Sequence, residues 1–204
     1  MKVLKEVCVE SFTDALKAQE RGADRIELCE NLSMGGTTPS YGTIKRAVEK
    51  LNIPVFPMIR PRGGDFCYSL DELEIMREDI KICKSLGVKG VVFGMLTEDK
   101  KIDFDLVKEF VSLAYPMEVT FHKAIDELEN PVEVIEELKN IGVKRILSSG
   151  TKVTALEGAS VLNEMIKKAG KDLTIIVAGR VTKENFEEVF EKVVSSEYHG
   201  KVIV

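Results

Sequence analysis

The sequence predicts an α/β protein of the TIM-type (β/α)8 barrel class, and two repeating features indicate it. Eight short apolar runs rich in β-branched residues recur along the 204-residue chain, and amphipathic segments separate them. In one such segment, apolar side chains recur with helical spacing at Leu73, Met76, Ile80 and Cys83. Eight alternations of about 20 to 35 residues each favour a closed barrel over an open doubly wound sheet. We therefore expect a single (β/α)8-barrel domain over residues 1–204.

Each predicted strand is a run of apolar and β-branched residues that ends near a glycine, serine, proline or charged side chain. The last run is the weakest of the eight. No GxGxxG motif opens the first helix, which argues further against a dinucleotide-binding sheet. The predicted strands are residues 7–9, 25–29, 55–59, 90–94, 119–122, 145–149, 174–178 and 197–199.

Helix boundaries are marked by capping residues. Ser11 and Ser69 each begin a capping-box pattern, and Asn130 places a cap before a proline. Glycines follow four predicted helices shortly before the next strand, which is typical of helix C-termini. These glycines are Gly22, Gly87, Gly142 and Gly170.

The chain leaves no room for an eighth helix, because only five residues follow His199. The helix is therefore expected to be missing or replaced by a short C-terminal strand at residues 202–204. Two arrangements remain open for the apolar strip beside the last strand. Either that terminal strand covers it, or a second copy of the chain does, and for this reason we expect a homo-oligomer, a dimer.

Composition excludes several classes of function. The net charge is -5, and no run of basic residues is interleaved with aromatic ones, so nucleic acid is not an expected partner. No stretch approaches the roughly 20 apolar residues of a membrane-spanning helix. The first residues run directly into charged Lys5 and Glu6 without the pattern of a signal peptide, which favours a cytoplasmic location. The four cysteines form no CxxC pair, so a structural zinc site is not expected.

Side-chain alternation predicts a polar interior at one end of the barrel. It places Glu6 and Cys8 on one face of the first strand, and Glu27 and Cys29 on one face of the second. Charged side chains fit poorly under packed helices, so both sets are expected to point inward. Buried carboxylates need partners, and Arg60 and Arg62 are the expected ones. An ion-pair network that only fills the barrel remains an alternative.

Glycine- and arginine-rich loops follow several strands at the end where barrels carry their active sites. The loop after the third strand holds Arg60, Arg62 and Asp65, which predict a site for an anion. Alternatively, Arg62 only pairs with Asp65. A second anion site is predicted in the loops after the sixth and seventh strands. Its residues are Gly150, Gly179 and Arg180, although these glycines are equally consistent with simple turns.

The inward-facing cysteines raise the question of a soft metal. Thiolates with a histidine suit Cu(I) better than magnesium or calcium, so Cys8, Cys29 and His122 are candidate ligands. The alternative is that these cysteines behave as small buried hydrophobic residues. Cys83 is expected to be one, on the apolar face of its helix.

Several motifs resemble the CutC copper-homeostasis family over nearly the whole chain. They are residues 23–29, the Gly-Gly-Thr-Thr-Pro-Ser loop ending at Ser40, residues 60–69, residues 120–126, residues 147–150, and Glu197 with His199. The resemblance implies a cytoplasmic TIM barrel associated with copper tolerance, in which Cys8 and Cys29 carry Cu(I). The chain departs from the family pattern at Lys123, where arginine is usual, and at Ser148, where threonine is frequent.

Two functions follow from the sequence. The first is copper handling, with Cu(I) as the bound ion and with Cys8, Cys29 and His122 as ligands. The second is an enzyme of unspecified reaction on a small anionic molecule, in which Glu27 or His122 is the general acid/base. In that interpretation Asp126 orients His122, and Arg60 and Arg62 hold the substrate. A third alternative is a small-molecule binder that uses the same pocket without turnover.

Overall fold

The computed structural model describes residues 3–204 as an eight-stranded parallel barrel. The prediction that no signal peptide is present rests partly on Met1 and Lys2, which lie outside the described residues. All eight predicted strands are present with bounds close to those expected, which confirms the predicted fold class. The strands are β1 Leu4–Val9, β2 Arg25–Leu28, β3 Val55–Pro57, β4 Gly90–Phe93, β5 Glu118–Phe121, β6 Arg145–Ser148, β7 Thr174–Val177 and β8 Glu197–Gly200.

The barrel is closed through two unlike seams. β1 pairs in parallel with both β2 and β8, so the first and last strands lie side by side. Between β3 and β4 the contact is a single bridge from Met58 to Val92, together with a 2.7 Å hydrogen bond that the Ile59 amide donates to Val92. The barrel is thus tightly paired around β1 and looser between β3 and β4.

Helices cover the outside of the barrel, and their ends follow the predicted capping. Ser11 accepts a hydrogen bond from the Asp14 amide, and Ser69 forms a reciprocal capping box with Glu72. One prediction differs: residues 131–134 form a turn, so the helix expected directly after Asn130 begins only at residue 135. The helices are α1 Phe12–Glu20, α2 Tyr41–Lys50, α3 Leu70–Ser85, α4 Phe104–Ala114, α5 Ile135–Ile141, α6 Ala159–Ala169 and α7 Phe186–Lys192, with short 3-10 helices at Leu32–Met34 and Lys123–Glu127.

The apolar core lies mainly between the strands and the helices. Outward-facing strand residues such as Ile26 and Phe93 are completely buried there, as strand alternation requires. Inside the barrel, buried apolar side chains form only two small clusters in the described residues. One is Cys29, Phe56, Met58 and Val92, and the other is Leu147, Ile176 and Ala178. The remaining interior is left to polar side chains.

The C-terminal segment occupies part of the space that an eighth helix would cover. Val202 bridges to Thr182 in the loop after β7, and Ile203 is fully buried against the outer core. No helix follows β8 in the described residues, and the terminal strand expected at residues 202–204 is reduced to the single bridge at Val202. A groove of about 270 Å³ remains beside β1 and α1. None of the helices in residues 3–204 combines the length and the apolar character needed to cross a membrane.

Candidate metal site in the barrel interior

A network of buried charges lies at the base of the barrel interior. Arg25 donates hydrogen bonds to Glu6 and to Glu197, and all three side chains are at most 12% exposed. Arg145 adds a second ion pair to Glu197 at 3.2 Å and reaches Glu118 on the rim at 2.7 Å. Each buried carboxylate of the network therefore faces a guanidinium group, which offsets the cost of burial.

The prediction that Arg60 and Arg62 neutralise the inward carboxylates was wrong. Arg25 is the arginine that pairs with Glu6. Alternation puts Arg25 on the same inward face of β2 as Glu27, and the strand register sets it directly beside Glu6. Arginine near the start of a strand therefore lies deep in the barrel, whereas Arg60 and Arg62 follow the end of β3 and stay with its loop.

Arg60 and Arg62 stabilise the loop after β3. Buried Arg60 donates to the carbonyl oxygens of Met34 and Gly36 at 3.1 Å and of Gly64 at 2.6 Å. Arg62 pairs with Asp65 at 3.0 Å and also with Glu72 at the start of α3. The structure thus shows the Arg62–Asp65 pair that the sequence left as an alternative, and most guanidinium donors of this loop already have partners.

Above the ion network, three potential metal ligands converge. One ligand atom each from Cys8, Glu27 and His199 lies within 4.8 Å of the other two, the only such group of three or more found in residues 3–204. The register explains the convergence, because Cys8 stands beside Glu27 and Glu6 stands beside His199 on the neighbouring strand. Three adjacent strands, β8, β1 and β2, therefore supply an imidazole, a thiol and a carboxylate to one point.

Glu6 fixes the orientation of the His199 ring. Its carboxylate lies 2.7 Å from Nδ1 of His199, while Nε2 faces Glu27 at 3.8 Å. Burial raises the pKa of Glu6, but Arg25 and His199 outweigh it and hold the pKa at about 2. Glu6 is therefore ionised and can hold the Nδ1 proton, so Nε2 is the ring nitrogen that can bind a metal ion once its own proton is displaced.

The other two groups of the cluster are shifted by their surroundings. Burial raises the pKa of Glu27, and the opposing effect of His199 does not cancel this. Burial alone lowers the pKa of His199, but Cys8, Glu27 and Glu6 together raise it well above its ordinary value. The site without metal thus holds extra protons, and a cation that binds there has to displace them.

Cys29 borders the cluster on one side. Its thiol donates a hydrogen bond to Glu27 over 3.6 Å, and burial followed by the charge of Glu27 raises its pKa well above the ordinary value. A Cβ atom on Gly36 would approach Cys29 Sγ to 3.2 Å and the Met58 methyl to 3.6 Å, so both sulfur side chains adjoin Gly36. Cys29 is a neighbour of the three-residue group rather than a member of it.

His122 stands outside this cluster, at the end of β5. Its Nδ1 accepts a hydrogen bond from the Ala124 amide at 3.2 Å, and its ring packs against Phe66 with 4.8 Å between centroids. Burial, followed by the charge of Arg60, lowers the pKa of His122 to about 3, so the ring is neutral. Of the two histidines, the structure brings His199 and not His122 to the cysteines.

Asp126 binds the loop after β6 and does not contact His122. The amides of Ser149 and Thr151 donate to its carboxylate at 3.0 and 3.1 Å, and the Ser148 hydroxyl and the Lys123 ammonium add to them. An internal carboxylate therefore occupies the backbone donors that a phosphate would use in this loop.

The remaining residues predicted to bind an anion take part in loop packing. The Gly150 amide donates to the Ser148 hydroxyl, and the Gly179 carbonyl accepts from Ala155, both at 2.9 Å. A Cβ atom on Gly150 would lie 2.3 Å from the Gly158 carbonyl oxygen, so glycine permits this close approach. Arg180 is exposed, with a positive φ of 54°. These contacts match the alternative in which the glycines serve as turn residues.

Sequence reasoning placed Cys8, Cys29 and Glu27 inside the barrel but missed two residues of the site. Arg25 and His199 lie on the same inward faces that alternation predicts for β2 and β8. Side-chain alternation therefore indicated an inward position for both residues. His199 was not assigned to the site because the last strand was only weakly predicted.

Known proteins resemble this chain over nearly its whole length. The family model described as the CutC family matches residues 3–204. A human protein named copper homeostasis protein cutC homolog is 43% identical over 196 residues, which is 96% of this chain and 72% of the relative. A crystal structure from Streptococcus agalactiae, described as a copper homeostasis protein CutC, is 34% identical with a TM-score of 0.93, and the match covers 99% of this chain and 100% of that one. A phosphoribosyl anthranilate isomerase from Thermococcus kodakaraensis, 18% identical with a TM-score of 0.61 over 97% of this chain and 87% of its own, shares the fold alone. The chain belongs to the CutC family.

Proposed function

We propose that this protein acts in copper homeostasis by binding Cu(I) through Cys8 and His199, with Glu27 beside them. The observation that carries the proposal is the convergence of these three side chains within 4.8 Å. Relatives at 43% and 34% identity bear copper homeostasis names, which supports the same assignment here.

The chemistry of the site supports a soft or borderline metal ion. Thiolate and imidazole ligands suit Cu(I), whereas a site for magnesium or calcium would consist of oxygen ligands. The carboxylate of Glu6 on Nδ1 of His199 is the outer partner that metal-bound histidines usually have. Cys29 lies next to Glu27 and offers a second thiol that an incoming ion would meet.

The second candidate function is an enzyme in which Glu27 is the general acid/base. Its raised pKa and its buried Oε1 atom, which has no hydrogen-bond partner, favour this interpretation. However, Arg60 and Arg62 direct most of their donors to the protein itself, which reduces their value for holding an anionic substrate. We therefore prefer metal binding and keep catalysis as the alternative.

The test is a titration of the reduced, metal-free protein with Cu(I) against a competing chelator. We expect one tight site per chain. Cys8→Ser and His199→Asn each remove one of its ligands. Glu6→Gln removes the carboxylate partner of His199, and with it one counter-charge of Arg25, and should weaken binding by roughly 10- to 100-fold.

Two matched variants serve as controls. Cys83→Ser removes a fully buried thiol from the apolar face of α3, and His122→Asn removes the other histidine. Both should keep the wild-type affinity for Cu(I). If the Cys8→Ser and His199→Asn variants bind as tightly as the controls, the proposed copper site is wrong, and the enzyme interpretation of Glu27 becomes the better account.

A further inference from the structure

Of the glutamates buried in the barrel interior, Glu27 alone pairs with no guanidinium group. Glu6 and Glu197 both pair with Arg25, whereas the one salt-bridge partner of Glu27 among residues 3–204 is His199, with 3.8 Å between Oε2 and Nε2. The Oε1 atom of Glu27 is buried without any hydrogen-bond partner. Because burial of a carboxylate is costly unless it is paired, the surroundings of Glu27 indicate a missing cation.

The three groups that converge beside Glu6 differ in the charge that they bring to an ion. Cys8 and Glu27 each bind a metal as an anion, and His199 binds it as a neutral imidazole. Two negative charges balance a divalent cation, whereas one thiolate is enough to balance Cu(I). A thiolate, an imidazole and a carboxylate are also the three kinds of side chain that bind zinc. The complete set of ligands therefore matches a divalent ion of borderline softness.

The space between the three ligand atoms suits an ion without a separate cavity. All three atoms lie within 4.8 Å of one another, so a point between them is no more than about 2.8 Å from each, compared with zinc bonds of about 2.0–2.3 Å. Side chains that move by less than about 1 Å would complete these bonds. The carboxylate of Glu6, 2.7 Å from Nδ1 of His199, is the outer partner that zinc-bound histidines usually have.

We propose that Cys8, Glu27 and His199 also form a three-ligand site for a divalent cation of the zinc class, with Glu27 bound to the ion instead of beside it. The inference rests on the pocket of the proposed copper function and extends it from a monovalent to a divalent ion. Three protein ligands are the pattern of catalytic zinc sites, whereas structural zinc sites have four. Glu27 is thus the residue that decides which of the two ions the pocket prefers.

The test is a titration of the reduced, metal-free protein with Co²⁺, a coloured substitute for Zn²⁺. We expect a thiolate-to-cobalt absorption band that saturates at one equivalent, together with the intense visible bands of four-coordinate cobalt. Addition of Zn²⁺ should displace the cobalt and remove both sets of bands. Mg²⁺ at the same concentration should leave them unchanged, because it prefers oxygen ligands.

Glu27→Gln keeps the shape of the side chain and removes its negative charge. Its affinity for Zn²⁺, measured against a competing chelator, should fall by more than the roughly 10- to 100-fold effect of losing an outer partner, and by more than its affinity for Cu(I). Glu30→Gln, at an exposed glutamate just after β2, is the matched control and should bind both ions as the wild type does. If Glu27→Gln does not fold, X-ray absorption at the zinc edge of the wild type decides. One sulfur and at least two lighter ligands support the proposal, and sulfur alone overturns it.

Three further results would overturn the proposal: no thiolate-to-cobalt band, equal affinity of Glu27→Gln and Glu30→Gln for Zn²⁺, or a loss of Zn²⁺ affinity in Glu27→Gln no larger than its loss of Cu(I) affinity. The two metal proposals can fail separately. Tight binding of Cu(I) without binding of Co²⁺ or Zn²⁺ contradicts only this inference. Binding of Co²⁺ and Zn²⁺ without tight binding of Cu(I) contradicts only the proposed copper function.

Discussion

Arg25 balances two buried carboxylates at once, since it donates to Glu6 on β1 and to Glu197 on β8. Glu6 in turn holds the ring of His199, so a single guanidinium group supports the charge and the orientation of the proposed metal ligand. The interior of the barrel is therefore organised by electrostatics as much as by apolar packing.

Replacing Arg25 by methionine should lower the free energy of unfolding by about 3–5 kcal/mol, because Glu6 and Glu197 lose a buried counter-charge. Arg77→Met is the matched control, since Arg77 pairs with Glu74 and Glu109 on the surface, where such a change costs about 1 kcal/mol or less. Urea denaturation of both variants measures the difference. Equal losses would show that the internal network contributes no more than a surface pair.

His122 predicts a pH dependence of stability. Its pKa is about 3 in the folded protein, below the roughly 6.5 of an unfolded chain, so the unfolded state binds the proton first as the pH falls. The neutral ring thus supports folding fully above pH ~6.5, and this contribution is lost between pH ~6.5 and ~3 at up to about 1.4 kcal/mol per pH unit.

The variant His122→Asn should remove this part of the pH dependence, because asparagine has no titrating group in that range. Denaturation curves between neutral and acid pH compare the two slopes. If both proteins lose stability in parallel, His122 is not neutral in the folded state.

The inward positions of Glu6, Cys8, Glu27 and Cys29 could be predicted from the period of two along a strand. Their partners could not, because pairing depends on the register between neighbouring strands, and a single sequence does not give it. That is why Arg25 was overlooked as the counter-charge.

At the scale of elements, local chemistry determined most boundaries. Ser11 and Ser69 begin their helices as predicted, since each side chain accepts from an amide of the first turn. Asn130 misled the prediction because the same residue types also begin turns, and residues 131–134 form one. Capping patterns thus identify a change of direction more reliably than a helix.

The loop after β6 depends on close backbone contact with the start of α6. A Cβ atom on Gly158 would lie 2.0 Å from the carbonyl oxygen of Ser149, whereas one on Gly42 in α2 meets nothing within 4 Å. Gly158→Ala should therefore lower the free energy of unfolding by about 1–3 kcal/mol through overpacking. Gly42→Ala should be neutral or raise it by up to about 1 kcal/mol.

Thermal or urea unfolding of the two alanine variants checks this prediction. A tolerated Gly158→Ala would mean that the loop can separate from α6 at little cost. In that case the amides around Asp126 would not be fixed as the structure shows them.

For the whole molecule, the order of the strands could be predicted from the sequence, because eight alternating strand–helix units are compatible with few architectures. Closure of the barrel implied that β8 lies beside β1. It did not reveal which side chains of the two strands meet. A homo-dimer stays a prediction.

Central to this account is that β8, β1 and β2 together form one metal site. The most direct measurement is X-ray absorption at the copper edge of protein loaded with one equivalent of Cu(I). We predict mixed coordination, with sulfur from Cys8 and nitrogen from His199, and loss of the nitrogen contribution in His199→Asn. Coordination by sulfur alone, unchanged in that variant, would contradict the account and place copper between Cys8 and Cys29.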